Sequence, residues 1–175
     1  DRFLSFCHTQ LQAKPVWLLV CKAVETILGD RYGWCTLTCT DDQRIPDVRK
    51  NPAKQDHEIE RKMRHASKVG VTIQSLAYHE RVPIELQQEC DKSILAWMAQ
   101  RRGLQVHLTS VRPWVDQEHR QYFFARDANN DLCCLVVLAQ LSPEHGVQVK
   151  WAISFPNAPT GASEITILLA LDTVT

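Results

Sequence analysis

Two apolar runs set the strongest constraint on this chain. Residues 121–127 (QYFFARD) and 132–139 (LCCLVVLA) are separated only by Ala128-Asn129-Asn130-Asp131. Aromatic and β-branched residues favour extended backbone, and an Asn-rich tetrapeptide supplies the reversal, so the two runs predict an antiparallel hairpin. Cys133 and Cys134 then send one side chain to each face, which reads as packing. Similar runs at 147–155, 71–77, 16–21 and 34–40 predict further strands. Helical spacing of apolar residues predicts helices at 2–12 (Phe3, Phe6, Cys7, Leu11) and 23–28, the latter closing at Gly29. A third follows Glu58, with Ile59, Met63 and Ala66 on one face. A long fourth begins at Pro83, carries Leu86, Cys90, Ile94, Trp97 and Met98, and closes at Gly103 behind Arg101 and Arg102. Between 41 and 56, Asp42, Pro46, Asn51 and Pro52 interrupt any period and predict a solvated loop. A tight loop at 156–161 leads to a last helix that Ser163 is expected to cap.

Composition narrows the class. A chain of 175 residues fits one domain or a little more. Twenty Lys and Arg against twenty Asp and Glu give no net charge, which excludes a globally basic nucleic-acid binder and an acidic disordered tail. The balance conceals a segment. Residues 44–70 carry +4, from eight basic and four acidic side chains, whereas 1–43 carry −1 and 71–175 carry −3. Within that segment Arg61, Arg64, His65 and Lys68 follow helical i, i+3, i+4, i+7 spacing and form a one-sided basic face. The longest candidate for a membrane span, residues 16–20, is flanked by Lys14 and Lys22 and is far too short. With no signal peptide and Asp1 in place of Met, the expectation is a cytoplasmic piece of a longer polypeptide, able to associate peripherally with a membrane. Seven cysteines, mostly within apolar runs, read as buried free thiols. Cys35 and Cys39 have the one metal-like spacing, without a second pair, so no metal is expected.

The order of elements in the last third, a helix pair, a hairpin, a strand, a turn and a helix, is that of an acetyltransferase-like (GNAT) α/β domain. The segments 120–127, 135–140, 148–151 and 155–161 (FPNAPTG) resemble the C-terminal aminoacyl-tRNA transferase domain of the phosphatidylglycerol lysyltransferase family. They are most similar to the fungal branch that aminoacylates ergosterol, which is free-standing or fused to an aspartyl-tRNA synthetase. The resemblance implies an α/β (α+β) architecture of tandem GNAT-like folds, both incomplete here: 1–77 as the end of the first fold with the basic helix, and 78–175 as a truncated second fold. It also implies transfer of aspartate or glycine from aminoacyl-tRNA to a lipid hydroxyl, with ergosterol as acceptor. Aminoacyl-tRNA would be the co-substrate, with no cofactor, and an aspartyl-tRNA synthetase a fused or associated partner.

Such a transfer is a transesterification that needs alignment, oxyanion stabilisation and one proton passed between oxygens. Under the resemblance Glu164 and Lys150 are the catalytic candidates, Glu164 as proton relay or as the group that holds the amino group of the transferred residue, and Lys150 as the charge facing the oxyanion or a nearby phosphate. An acid in a first helical turn also simply complements the dipole, and a lysine on an edge strand also simply reaches water. Arg61, Lys62, Arg64, His65 and Lys68 would follow the tRNA backbone, against the plainer reading of a solvated helix face. Arg112 and Trp114 would hold the terminal adenosine, unless Trp114 is a core residue. Trp151 and Phe155, with Leu135 and Val137, would line a sterol tunnel, and Asn157 and Gly161 would complete the substrate-binding turn. His107, His119 and His145 have no partner at a spacing that forces proximity. No nucleophile motif is visible, so transfer is expected to be direct. Two rivals stand beside this reading: an acyl-CoA N-acyltransferase, which the prolines of the 156–161 turn disfavour because they donate no amide hydrogen, and a non-catalytic domain that binds tRNA or a membrane face.

Overall fold

The computed structural model describes residues 2–17, 20–37, 44–101, 111–141 and 146–174. It divides into two compact units, Asp1–Arg44 and Ile45–Thr175. Strand β1 (Thr72–Leu76) is hydrogen-bonded into the same sheet as the later strands, and helix α3 (His57–Lys68) packs against the last helix.

In the smaller unit, α1 (Arg2–Thr9) buries only Cys7 and α2 (Lys22–Tyr32) only Leu28. Helix α2 runs through Gly29 and stops at Gly33, whose φ of 64° lets its amide turn back onto the Gly29 carbonyl. A lone glycine costs a helix about 1 kcal/mol, which does not stop it. The strands expected at 16–21 and 34–40 are not formed among the described residues, and Val16 and Leu37 stay largely exposed. Extended backbone needs a partner strand for its amides, and the described residues of this unit supply none. Residues 18–19 and 38–40, Cys39 among them, lie outside the described residues.

The larger unit is built on the expected hairpin. Strands β2 (Arg120–Arg126) and β3 (Leu132–Gln140) pair antiparallel, and the order β1-β2-β3-β4 is completed by β4 (Val147–Ser154). Asp127 organises the reversal: its Oδ1 accepts from the amides of Asn129 at 2.8 Å and Asp131 at 3.0 Å, and Asn130 takes a φ of 67°. Residues 122–125 and 132–138 are buried without interruption, so both faces of the sheet are covered. On one face α4 (Ile84–Gln100) sets Leu86, Cys90 and Ile94 against Tyr122, Phe124, Leu135, Val137 and Ile153. On the other, α5 (Ala162–Asp172) sets Ala162 and Ala170 against Phe123, Ala125, Val136 and Leu138. The loop expected before α3 contains two 3-10 turns, Val48–Lys50 and Pro52–Gln55, each begun by an Asp or Asn side chain that accepts a backbone amide.

Ion pairs join the elements across the sequence. Arg126 grips Glu89 of α4 through two bonds of 2.7 and 2.6 Å, and Lys54 pairs with Asp172 at the end of α5. Arg101 closes α4 with its guanidinium 4.1 Å from the Trp97 ring, while Arg102 and Gly103 lie outside the described residues. Among the described residues no helix is long and apolar enough to cross a membrane. Replacing Phe124, which has no exposed surface, by Ala is expected to cost about 3–5 kcal/mol in urea unfolding. The change Leu95→Ala, at a position 67% exposed, is expected to stay within about 0.5 kcal/mol.

Candidate functional site

The turn between β4 and α5 is stiffened by its own backbone. The Phe155 amide donates to Cys133 O, Ala158 to Phe155 O and Ala162 to Pro159 O. Gly161 ends the turn with a φ of 92° and precedes α5 without any side-chain cap. Ser163, expected to cap the helix, instead donates to Glu164 Oε2 at 2.8 Å. Its position inside the first turn, after the glycine, puts its hydroxyl beside the neighbouring carboxylate. A Cβ built on Gly161 would lie 2.0 Å from the carbonyl oxygen of Lys62, so the backbone of α3 passes directly against this turn.

That approach assembles a small charged cluster. Lys62 Nζ is 3.2 Å from Glu164 Oε1 and 3.3 Å from Glu58 Oε1. Glu164 is half-buried. Burial works against its charged form, but hydrogen bonds from Ser163 and its own backbone amide, together with the Lys62 ammonium, outweigh burial and hold the carboxyl below the ordinary glutamate range. Its two carboxylate atoms are therefore separately held, one by an ammonium on α3 and one by a hydroxyl on α5. Arg61, Arg64, His65 and Lys68 are exposed along α3, as the basic face requires. Lys62 departs from that group because its ammonium turns toward α5.

The remaining candidates are not brought to this cluster. Lys150 is exposed on β4, an edge strand, at a register shift: Val137 faces Trp151 and Leu138 faces Val149, which leaves Lys150 as the extra residue of a bulge. Its ammonium lies 5.9 Å from the Trp151 ring. Trp114 and Trp151 pack against the α4-side core, and Phe155, only 3% exposed, is part of it. Trp114 donates to Asp91 at 2.7 Å and lies against Tyr122 and Phe124, while Arg120 covers Trp151 at 4.8 Å. Leu135 and Val137 are fully buried in the same core. Arg112 is exposed, and its carbonyl accepts from Arg120 at 3.0 Å. Asn157 is exposed in the turn.

His119 pairs with Asp116 at 2.8 Å on the surface, and His107 and His145 lie outside the described residues. Of the cysteines, Cys7, Cys90, Cys133 and Cys134 are buried as expected, while Cys21 and Cys35 are exposed. Burial pushes the Cys134 thiol up to about 12, which suits packing and not nucleophilic attack. What the sequence reading missed is the partnership of Lys62 with Glu164. Only the Glu58–Lys62 spacing of i, i+4 was locally visible, and that spacing alone gives a surface pair.

No family model and no curated protein matches the sequence. The fold, however, recurs among solved structures. The structure of L-PGS from Bacillus licheniformis aligns over 73% of this chain and 39% of its own, with 9% identity and a TM-score of 0.56. The C-terminal domain (DUF2156) of a protein from Agrobacterium fabrum, named as a lysylphosphatidylglycerol synthetase, aligns over 73% of this chain and 40% of its own, with 12% identity and a TM-score of 0.55. The chain thus spans about two fifths of the length of each structure it resembles. At such identities the likeness is one of fold.

Two outcomes follow from the cluster. Gly161→Ala should lower stability by more than about 1 kcal/mol in urea unfolding, because both the positive φ and the Lys62 carbonyl exclude a side chain; an unchanged midpoint would contradict this contact. Glu164 should add pH dependence. A carboxyl whose folded pKa is depressed stabilises fully above its unfolded value, near about 4.3, and the contribution fades as pH falls through the lower folded value. Melting temperatures recorded from pH ~2 to ~7 should therefore decline less on the acid side for Glu164→Gln than for the wild type.

Proposed function

We propose that this chain is part of a tRNA-dependent aminoacyltransferase that moves an amino acid from aminoacyl-tRNA to a lipid hydroxyl. The observation that carries the reading is the carboxylate of Glu164 at the start of α5, held by Lys62 of α3, the helix that bears the exposed basic face. The fold likeness to L-PGS and to a lysylphosphatidylglycerol synthetase domain supports it, since such enzymes attach an amino acid to a lipid. Arg61, Arg64, His65 and Lys68 would bind the tRNA backbone by charge alone.

In the reaction, the lipid hydroxyl oxygen attacks the carbonyl carbon of the aminoacyl ester. The new ester bond forms as the bond to the ribose oxygen breaks. Glu164, ionised at neutral pH, accepts the hydroxyl proton and returns it to the departing ribose oxygen, so the step needs no external proton source. Lys150, exposed at its bulge, suits the alternative of meeting a phosphate near the acceptor end. The acceptor we favour is ergosterol and the amino acid aspartate or glycine, on the sequence resemblance. Because Leu135, Val137, Trp151 and Phe155 belong to the packed core, the sterol would have to meet another surface. The acyl-CoA alternative is further weakened by the turn itself, where Pro156 and Pro159 have no amide hydrogen and the Ala158 and Ala162 amides are already bonded.

The test is incubation of the full-length protein with labelled aminoacyl-tRNA and liposomes with or without ergosterol. Label should enter the lipid phase only when sterol is present, and Glu164→Ala should lower the rate by about 100-fold or more with tRNA affinity retained. The tRNA affinity should fall steeply with salt despite the zero net charge. Absence of lipid label with every amino acid would remove the transferase reading, and label from acetyl-CoA alone would favour the rival.

A further inference from the structure

We infer that Lys62 is a positioning residue for Glu164 and not a nucleic-acid contact. The inference deepens the transferase reading and rests on it for its kinetic arm only.

Helix geometry separates Lys62 from the basic face. Glu58, Lys62 and Ala66 stand at i, i+4, i+8 and form one row. Along this row exposure falls from Glu58, at 67% of its side chain, through Lys62, at 31%, to Ala66, which has none, so Lys62 stands at the margin of the packed side of α3, whereas Arg61, Arg64, His65 and Lys68 are exposed. Lys62 also touches the α5 start twice. Its carbonyl occupies the space where a side chain at Gly161 would stand, and its ammonium reaches Glu164 at 3.2 Å. One residue thereby fixes the spacing of two helices and the direction of one carboxylate. The ammonium is shared with Glu58 at 3.3 Å, so the two acids compete for it. The groups bearing on Glu164 are then Lys62 and Glu58 from α3, Ser163 on its own helix, and the buried Cys134 thiol from β3.

Removing the ammonium should leave burial opposed only by the α5 hydrogen bonds, and Glu164 should titrate at higher pH. Removing Glu58 should do the reverse, since it frees the ammonium and deletes a negative charge. Glu58 is 67% exposed at its side chain, so the second variant disturbs packing little.

The experiment is a carbon-detected NMR titration of the Glu164 carboxyl in the full-length protein, in Lys62→Met and in Glu58→Gln, beside transfer rates against pH and tRNA binding against salt. The expected result is an upward shift of the Glu164 titration in Lys62→Met and a downward shift in Glu58→Gln. Transfer by Lys62→Met should show its acid limb moved to higher pH and kcat lowered about tenfold, with KM for aminoacyl-tRNA unchanged and Lys62→Arg restoring most of the rate. The salt slope of tRNA binding should stay at the wild-type value in Lys62→Met and fall by about one in Arg64→Ala. A Glu164 titration that moves in neither variant, or a loss of salt slope in Lys62→Met equal to that in Arg64→Ala, would overturn the inference. Absence of transfer by the wild type would remove the transferase reading alone and leave the titration to decide the role of Lys62.

Discussion

The larger unit depends on a hairpin that cannot be left wet on either side. Tyr122, Phe123, Phe124 and Ala125 have no exposed surface, and their neighbours on β3 are buried in the same unbroken way. Alternate side chains point to opposite faces, so each face needs its own helix. Helix α4 answers one face with a branched and aromatic core, and α5 answers the other with small residues, Ala162 and Ala170, that bring its backbone close to the sheet. The Arg126–Glu89 pair then ties the hairpin to α4, at the strand's margin where both charges keep access to water.

From that close packing follows the position of the charged cluster. Helix α5 starts at a turn whose last residue is a glycine in the left-handed region, and the missing Cβ is what lets α3 lie against it. Lysine 62 is carried to Glu164 by this backbone contact. The aromatic group of Trp114, Trp151 and Phe155 belongs instead to the α4-side core, so residues that look like one binding surface in sequence are divided between the two faces of the sheet.

Local chemistry was legible and partnership was not. The hairpin could be read because Asp127, Asn129 and Asn130 encode the reversal by themselves, through an Asx-type turn and a residue that tolerates positive φ. Helices α3 and α4 could be read from their apolar period. Residues 16–21 form a short apolar run and 34–40 alternate, and either pattern makes a strand only where another strand supplies hydrogen bonds. Gly29 carried the signal of a helix end, but only Gly33 takes the conformation that ends α2. Ser163 was misread as a cap because Gly161 occupies that place in the turn. The Lys62–Glu164 contact joins residues far apart in the chain, and nothing in either neighbourhood names the other. Trp114 and Lys150 each carry a plain packing or solvent reading in the sequence beside the functional one, and the fold sets Trp114 against the α4-side core and leaves Lys150 exposed.

In the transfer we propose, the reacting carbonyl stands beside Glu164 at the start of α5. A crystal structure of the full-length protein with a non-hydrolysable aminoacyl-adenosine amide tests that claim most directly. The amide carbonyl is expected on the α5 side, with the 3′ nitrogen that stands for the ester oxygen within about 2.6–3.2 Å of the Glu164 carboxylate. A ligand seated on the α4 side against Trp114 and Trp151, with Glu164 still bound only to Lys62 and Ser163, would contradict it.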